Sequence, residues 1–319
     1  MPVDLTDPIF TDEAAAWKHF EAIRWPHGPV CPHCGTINEA DPVVGKTARH
    51  GLYRCRSKEC RKQFTATVGT VFERSHIPMH KWLLATHLLC SSKKGMSAHQ
   101  LFRSLGFGSY RTAWFMAHRI REAMRGDNLS PLGGEGKTVE IDETCIGRQE
   151  GSPPRKGLHG SQFRNIALTL VERGGIARSF HVDGTTVGTL IPIIRANLAK
   201  ESAVMTDEAS WYRNLKVNCD IVSHDAVEHS AKEYARYEGG RTISTNTVEG
   251  YYSIFKRGMK GVYQHCGERH LHRYLAEFDF RYNNRVKLGC DDTERARRAL
   301  KGVEGKRLTY NQPRQAASV

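Results

Sequence analysis

Four of the nine cysteines in this chain fall into two close pairs, Cys31-Pro-His-Cys34 and Cys55-x4-Cys60, flanking a 20-residue insert. Two such knuckles, held apart by a short β-like stretch, bring four thiolates into a tetrahedron around Zn2+. Gly35 directly follows Cys34 and suits the tight turn of a knuckle; His33, inside it, is expected to be a bystander. The flanking residues are too polar to pack as a core around four reduced thiols, so metal is the expected organiser. Arg49, Arg54, Arg56, Lys58, Arg61 and Lys62 surround the second pair against a single acid, Glu59. Such a basic ribbon suits contact with phosphates.

Three carboxylates stand next to strongly apolar residues. Asp142 lies in VEIDET, where Val139 and Ile141 alternate with Glu140 and Asp142, so that one strand face is buried and the other acidic. Asp207 ends the strand-like run AVMTDE, and Glu249 sits in the first turn of a helix that begins near Asn246. Acids in such surroundings are costly unless paired or bound to a cation. Three of them suit a Mg2+ or Mn2+ site for in-line displacement at a phosphodiester, with ions about 4 Å apart activating the attacking oxygen and stabilising the leaving one. Each acid also has a plain structural reading. Asp142 fits a surface acid on an edge strand, Asp207 a cap for a helix around 209–214, and Glu249 the second member of an Asn246-x-x-Glu249 capping box. Glu140, Asp183 and Asp225 are rival ligands nearby. Lys256 follows Glu249 by seven residues on the same helix face, and Lys260 continues that face, suiting both to the DNA backbone; Tyr252, Phe255, Met259 and Val262 pack inward.

These residues need a scaffold, and the chain divides into segments of different character. Residues 1–75 carry the cysteines with short β-like runs, giving a zinc ribbon. Residues 76–127 read as helical: Ser97 and Gln100 form a capping box for a short helix ending at Gly106, and a longer helix starts near Ser109. The second helix has an apolar stripe, Ala113, Met116, Ala117, Ile120 and Met124. Arg111, Arg119, Arg121 and Arg125 are expected on its other face, as in a helix-turn-helix that lays its second helix in a major groove. An ordinary helical hairpin with a solvated basic face is the competing reading. The Pro/Gly-rich stretch 128–136 is the linker. From 137 to 286 the order is three strands, a helix, a strand at ESAVMTDEAS, a variable stretch, a strand at VNCDIVSHD, then two helices. Residues 287–319 are expected to be a polar tail.

Lys plus Arg exceed Asp plus Glu by 47 to 34, a net charge of +13 that attracts polyanions, nucleic acid above all. No run of 18 apolar residues exists, which argues against a membrane-spanning helix, and the mixed acidic start MPVDLTDPIFTDEAAAW is not a secretory signal. The odd, lopsided set of cysteines fits a reducing compartment and one metal site rather than a disulfide framework.

The motifs CPHC…CRSKEC, VEIDET, VMTDEASWY, NTVEGYYSIFKRGMKGVYQH and HLHRYLAEFDFRYNNR resemble those of insertion-sequence DDE transposases with an N-terminal zinc ribbon, the prokaryotic relatives of the Merlin transposons. The resemblance covers about residues 20 to 286. It implies an α/β, RNase H-like mixed sheet with flanking helices, preceded by the ribbon and the helix-turn-helix-like segment. It also implies Asp142 and Asp207 as the first two catalytic acids. Some relatives carry asparagine in the third position, which makes Asn246 an alternative to Glu249; the spacing from Glu249 to Lys256 favours Glu249. The implied reaction is nicking at terminal inverted repeats followed by attack of the freed 3′-OH on target DNA. A homo-oligomer on DNA and a cytoplasmic, nucleoid-associated prokaryotic setting go with it. Two other readings stand beside this one: a catalytically inert DNA-binding regulator derived from a transposase, and an RNase H-like nuclease.

Overall fold

A computed structural model describes residues 4–126, 130–153 and 163–309. The chain forms two compact units: residues 1–92, 96–125 and 289–319 make the first, residues 93–95 and 126–288 the second. Among the described residues no helix is long and apolar enough to cross a membrane.

The first unit opens with α1 (Glu13–Arg24), a helix ahead of the cysteines where only short β-like runs were expected. Asp12 caps it through Ala15 N–H, and its Ala16 and Phe20 are buried, Phe20 5.4 Å from Phe72 between ring centres. The ribbon follows as three short antiparallel strands, β1 (Ala40–Pro42), β2 (Tyr53–Cys55) and β3 (Gln63–Phe64). Three helices come next: α2 (Met79–Ser91), α3 (Ala98–Ser104) and α4 (Tyr110–Met124). The expected capping box is present in part, with Gln100 N–H donating to Ser97 Oγ at 3.1 Å. Gly106 turns the chain between α3 and α4 at φ +59°, a left-handed conformation that suits glycine. The N-cap of α2 is Pro78, which offers no side chain to its first turn. Glu13 takes its place, accepting from Met79 N–H (2.8 Å) and His80 N–H (3.2 Å).

The second unit is built on β4 (Thr138–Ile146), β5 (Asn165–Glu172) and β6 (Ala177–Val182), followed by α5 (Val187–Asn197), β7 (Ala203–Asp207), α6 (Leu215–Cys219) and β8 (Ser223–Val227). The strands form one sheet in the order β6-β5-β4-β7-β8, antiparallel across β4-β5-β6 and parallel across β4-β7-β8. This is the RNase H-like mixed sheet. The strand expected at VNCDIVSHD starts later, because residues 217–219 belong to α6, which ends at left-handed Asp220. Between β8 and the helices, where no strand was expected, lies a hairpin, β9 (Ala235–Glu238) and β10 (Arg241–Ser244), turned by Gly239 and Gly240 at positive φ. Then come α7 (Asn246–Gly258) and α8 (Leu271–Asn283).

Both sheet faces are covered. On one, Val139, Ile141, Leu168, Leu170 and Val204 pack with Leu190, Ile194 and Leu215 of α5 and α6. On the other, Ile146, Ala167 and Val171 pack with Val248, Tyr252, Phe255 and Phe278 of α7 and α8. Gly258 permits the close approach of α7 to α8: a Cβ there would stand 2.4 Å from the Phe278 ring and 2.6 Å from Lys94 O. A π-turn, Met259–Tyr263, follows directly and carries Lys260 out of the α-helical register, so the single lysine face expected through Lys260 breaks after Lys256.

The expected polar tail at 287–319 begins instead with ordered structure. Residues 292–301 form α9 (Asp292–Lys301), which returns to the first unit; Ala296, Ala299 and Leu300 are buried, as is Val303 beyond it. Arg295 donates to Cys90 O at 3.0 Å and Val71 N–H to Val303 O at 3.2 Å. The expectation rested on polarity, yet the apolar positions recur at helical spacing. Residues 310–319 lie outside the described residues, as do 127–129 at the start of the expected linker.

Candidate metal centres

In the ribbon, Gly35 N–H donates back to Cys31 O at 2.9 Å and Gly35 itself adopts φ +77°, which makes the first knuckle. The second is closed by Cys60 N–H donating to Ser57 O at 3.1 Å. Cys31 Sγ lies 3.7 Å from Cys60 Sγ, and Cys34 Sγ 3.6 Å from Cys55 Sγ. A tetrahedron of Zn–S bonds about 2.3 Å long has edges of about 3.8 Å, so the four sulfurs fit zinc. Among the described residues they are the one group of three or more potential ligands whose donor atoms all lie within 4.8 Å of one another. The Thr36 hydroxyl and N–H hold the Cys34 thiol down at about 6, whereas burial pushes Cys55 up to about 12. Zinc would therefore take up the Cys34 thiolate readily and displace protons from the raised thiols of Cys55 and Cys60. The basic side chains Arg49, Arg54, Arg56, Lys58, Arg61 and Lys62 are all exposed.

The acids of the second unit are positioned by the sheet. The parallel pairing of β4 with β7 runs Thr138↔Ala203, Val139↔Val204, Glu140↔Met205; two residues further along both strands, Asp142 comes level with Asp207. Burial, then the neighbouring charges of Glu143, Asp207 and Glu249, push the Asp142 carboxyl up to about 8. Among the described residues, Asp142, Asp207 and Glu249 do not form a group whose carboxylate oxygens all lie within 4.8 Å of one another. Asp142 Oδ1 accepts from Glu143 N–H at 2.7 Å, and Asp207 Oδ1 from Ala209 N–H at 3.1 Å.

Glu249 is exposed on the first turn of α7. The N-cap is Thr245, and the expected Asn246-x-x-Glu249 box is not formed. Instead the Thr245 hydroxyl donates to Glu249 Oε1 at 2.9 Å, with His229 Nε2 3.6 Å from the same oxygen. Asn246 is exposed. The rivals are disposed elsewhere: Glu140 is fully buried at the N-terminus of α7, Asp225 faces Arg241 at 3.6 Å, and Asp183 is exposed. Lys256 is half-buried, its Nζ 5.7 Å from the centre of the Tyr252 ring, and the Tyr252 hydroxyl lies 2.7 Å from Asp142 O.

Two groups escaped the sequence reading. Glu143 accepts the Tyr212 hydroxyl at 2.5 Å, and burial raises its carboxyl; its adjacency to Asp142 was the available signal. His229 lies two residues beyond Val227, the register partner of Asp207. Nothing local in the sequence marks it.

The arginines of α4 do not share one outer face. Arg111 is exposed in the first turn, and Arg119 is partly buried against the Phe115 ring at 4.8 Å. Arg121 is only 1% exposed, which removes it from the expected phosphate contacts. It sits next to Ile120 and three residues before Met124, on the edge of the apolar stripe, and the packing of that stripe takes it inward.

Residues 131–283 match the family model of the ISXO2-like transposase domain, and residues 11–63 match that of the transposase zinc-ribbon domain. The chain is also 27% identical, over 289 residues, to an uncharacterized protein in transposable element ISH50 of Halobacterium salinarum, an alignment spanning 85% of this chain and 91% of that protein.

Proposed function

From the match of residues 131–283 to an ISXO2-like transposase domain and of residues 11–63 to a transposase zinc ribbon, we propose that the chain is a DDE transposase acting on the inverted-repeat ends of an insertion sequence. Asp142, Asp207 and Glu249 are its metal-binding acids. The observation that carries this reading is the register of β4 and β7, which sets Asp142 beside Asp207 with a carboxyl raised to about 8 by burial and its acidic neighbours. A buried carboxyl with acidic neighbours gains most from a hard divalent cation with oxygen ligands. Bound Mg2+ or Mn2+ would supply activation of the attacking oxygen and stabilisation of the leaving one.

In the first step a water oxygen bonds to phosphorus at the element end as the P–O3′ bond breaks, and the released oxygen takes a proton to become a 3′-OH. In the second, that 3′ oxygen bonds to a target phosphorus while another P–O3′ bond breaks. Asp142 from the middle of β4 and Asp207 from the end of β7 hold the reacting centre, and Glu249 closes it from α7. Lys256, and Lys260 on the π-turn, contact the DNA backbone, while the exposed ribbon cations and Arg111 bind the ends. Two ends must be paired for joining, so the protein works as a homo-oligomer on DNA, in the nucleoid of a prokaryotic cell.

The test is Asp207→Asn in an assay with labelled end DNA and a target plasmid. Joining should fall by about a thousandfold or more, roughly 4 kcal/mol of transition-state stabilisation, with end binding kept. Unaltered joining by the variant would remove Asp207 from the site. Cleavage without joining by the parent protein would favour a nuclease, and end binding without either reaction an inert regulator.

A further inference from the structure

Glu140 stands two residues before Asp142, on the same face of β4, and is 0% exposed. A carboxylate so buried is tolerated only when its oxygens are fully engaged. Its Oε2 accepts from the backbone N–H groups of Thr247 (2.7 Å) and Val248 (2.9 Å). Its Oε1 accepts from the Thr247 hydroxyl (2.8 Å) and from Arg173 Nε (2.6 Å). Arg173 passes its remaining N–H groups to Thr242 O at 2.6 Å, Ser244 O at 2.9 Å and Ser244 Oγ at 3.2 Å, tying down the chain that leads into α7.

The first-turn N–H groups of a helix need acceptors, and a negative charge there is favoured by the helix dipole. The local N-cap of α7, Thr245, supplies no such bond, since its hydroxyl is turned to Glu249. Strand β4 supplies it instead. One carboxylate therefore grips α7 at the residue directly before Glu249, about 7 Å along the strand from Asp142. A second tie lies one turn further along α7, where the Tyr252 hydroxyl reaches Asp142 O.

We propose that Glu140 and Arg173 are positioning residues that set the spacing between Asp142 and Glu249, and that Glu140 is not itself a metal ligand. This rests on the reading of Asp142 and Glu249 as ligands. The consequence is a metal site whose third wall is adjustable: the position of the α7 N-terminus determines how well Mg2+ is held.

The experiment uses the full-length, zinc-loaded protein with Glu140→Gln and, as a milder variant that keeps the buried charge, Thr247→Val. Three quantities are read: amide hydrogen exchange over residues 245–250, the Mg2+ concentration giving half-maximal end cleavage, and end binding. Glu140→Gln should speed exchange at Thr247 and Val248 about tenfold, the equivalent of one charge-assisted hydrogen bond, with β4 and β5 still protected. The Mg2+ midpoint should rise roughly ten- to hundredfold, as for other groups that orient metal ligands, and end binding should not move. Thr247→Val should shift both quantities in the same direction by less, and it carries the test if Glu140→Gln does not fold.

Faster exchange with an unchanged Mg2+ midpoint would overturn the proposal, leaving a purely structural cap. Loss of cleavage at every Mg2+ concentration with exchange unchanged would overturn it as well, by making Glu140 a ligand. If the parent protein shows no Mg2+-dependent cleavage, the functional reading fails and takes the proposed role with it. The exchange data would still report whether Glu140 caps α7, so the two failures are distinguishable.

Discussion

The cysteine cluster and the carboxylate cluster differ in how far the fold completes each site. In the first unit, two local turns bring four sulfurs to tetrahedral spacing, with pair distances of 3.6 and 3.7 Å. In the second, Asp142 lies midway along β4, Asp207 at the end of β7 and Glu249 in the first turn of α7, and their oxygens are not all within 4.8 Å of one another. Sequence-local knuckles make a closed site suited to structure, whereas a site assembled from distant elements stays open to water and phosphate oxygens. The two units share one device: α2 and α7 both lack a side-chain cap of their own, and each takes a distant carboxylate, Glu13 in one case and Glu140 in the other.

Removing zinc should have the largest effect and presses hardest on the contrast. With structural zinc contributing on the order of 10 kcal/mol, chelation or Cys34→Ser should melt residues 26–66 and abolish specific end binding. The second unit should keep its own unfolding transition. Loss of protection in both units together, measured by hydrogen exchange, would break the distinction between them.

Acid–base behaviour tests the open site. Burial raises Asp142 from 3.8 to about 8, so the folded chain holds a proton that the unfolded chain has released. Between those values the native state binds more protons, and its stability falls as pH rises. In chelator, the second unit should lose thermal stability from about pH 4 to about pH 8, and Asp142→Asn should flatten that slope. Mg2+ binding near neutrality should release about one proton, measurable by calorimetry in buffers of different ionisation enthalpy.

Within α4, Arg121→Gln should destabilise the first unit by roughly 3 kcal/mol, as for a broken buried charge. Arg111→Ala should leave stability alone and lower the salt slope of end binding by about 1. Equal effects on the salt slope would return Arg121 to the DNA surface. The smallest change is expected for Tyr252→Phe, which deletes the tie to Asp142 O: about 1 kcal/mol, or a Tm shift of about 2–4 °C for a unit of this size.

The sequence by itself determined what short-range chemistry can determine. Cysteine spacing specified the ribbon, apolar alternation in VEIDET specified a strand with Asp142 on it, and Ser97 with Gln100 marked a helix start. Tertiary structure decided whatever depends on which surface meets another. The order β6-β5-β4-β7-β8 sets Asp142 level with Asp207, and no feature of either motif alone implies that register. Asn246-x-x-Glu249 has the pattern of a capping box, yet the N–H groups of Thr247 and Val248 within it are taken by Glu140 from more than a hundred residues away. Arg121 is a basic residue on a basic helix until packing buries it, and DTERARRALK reads as a solvated tail until Ala296, Ala299 and Leu300 find a core. In each case the local pattern fits two states of similar free energy, and burial of apolar area against a distant element selects between them.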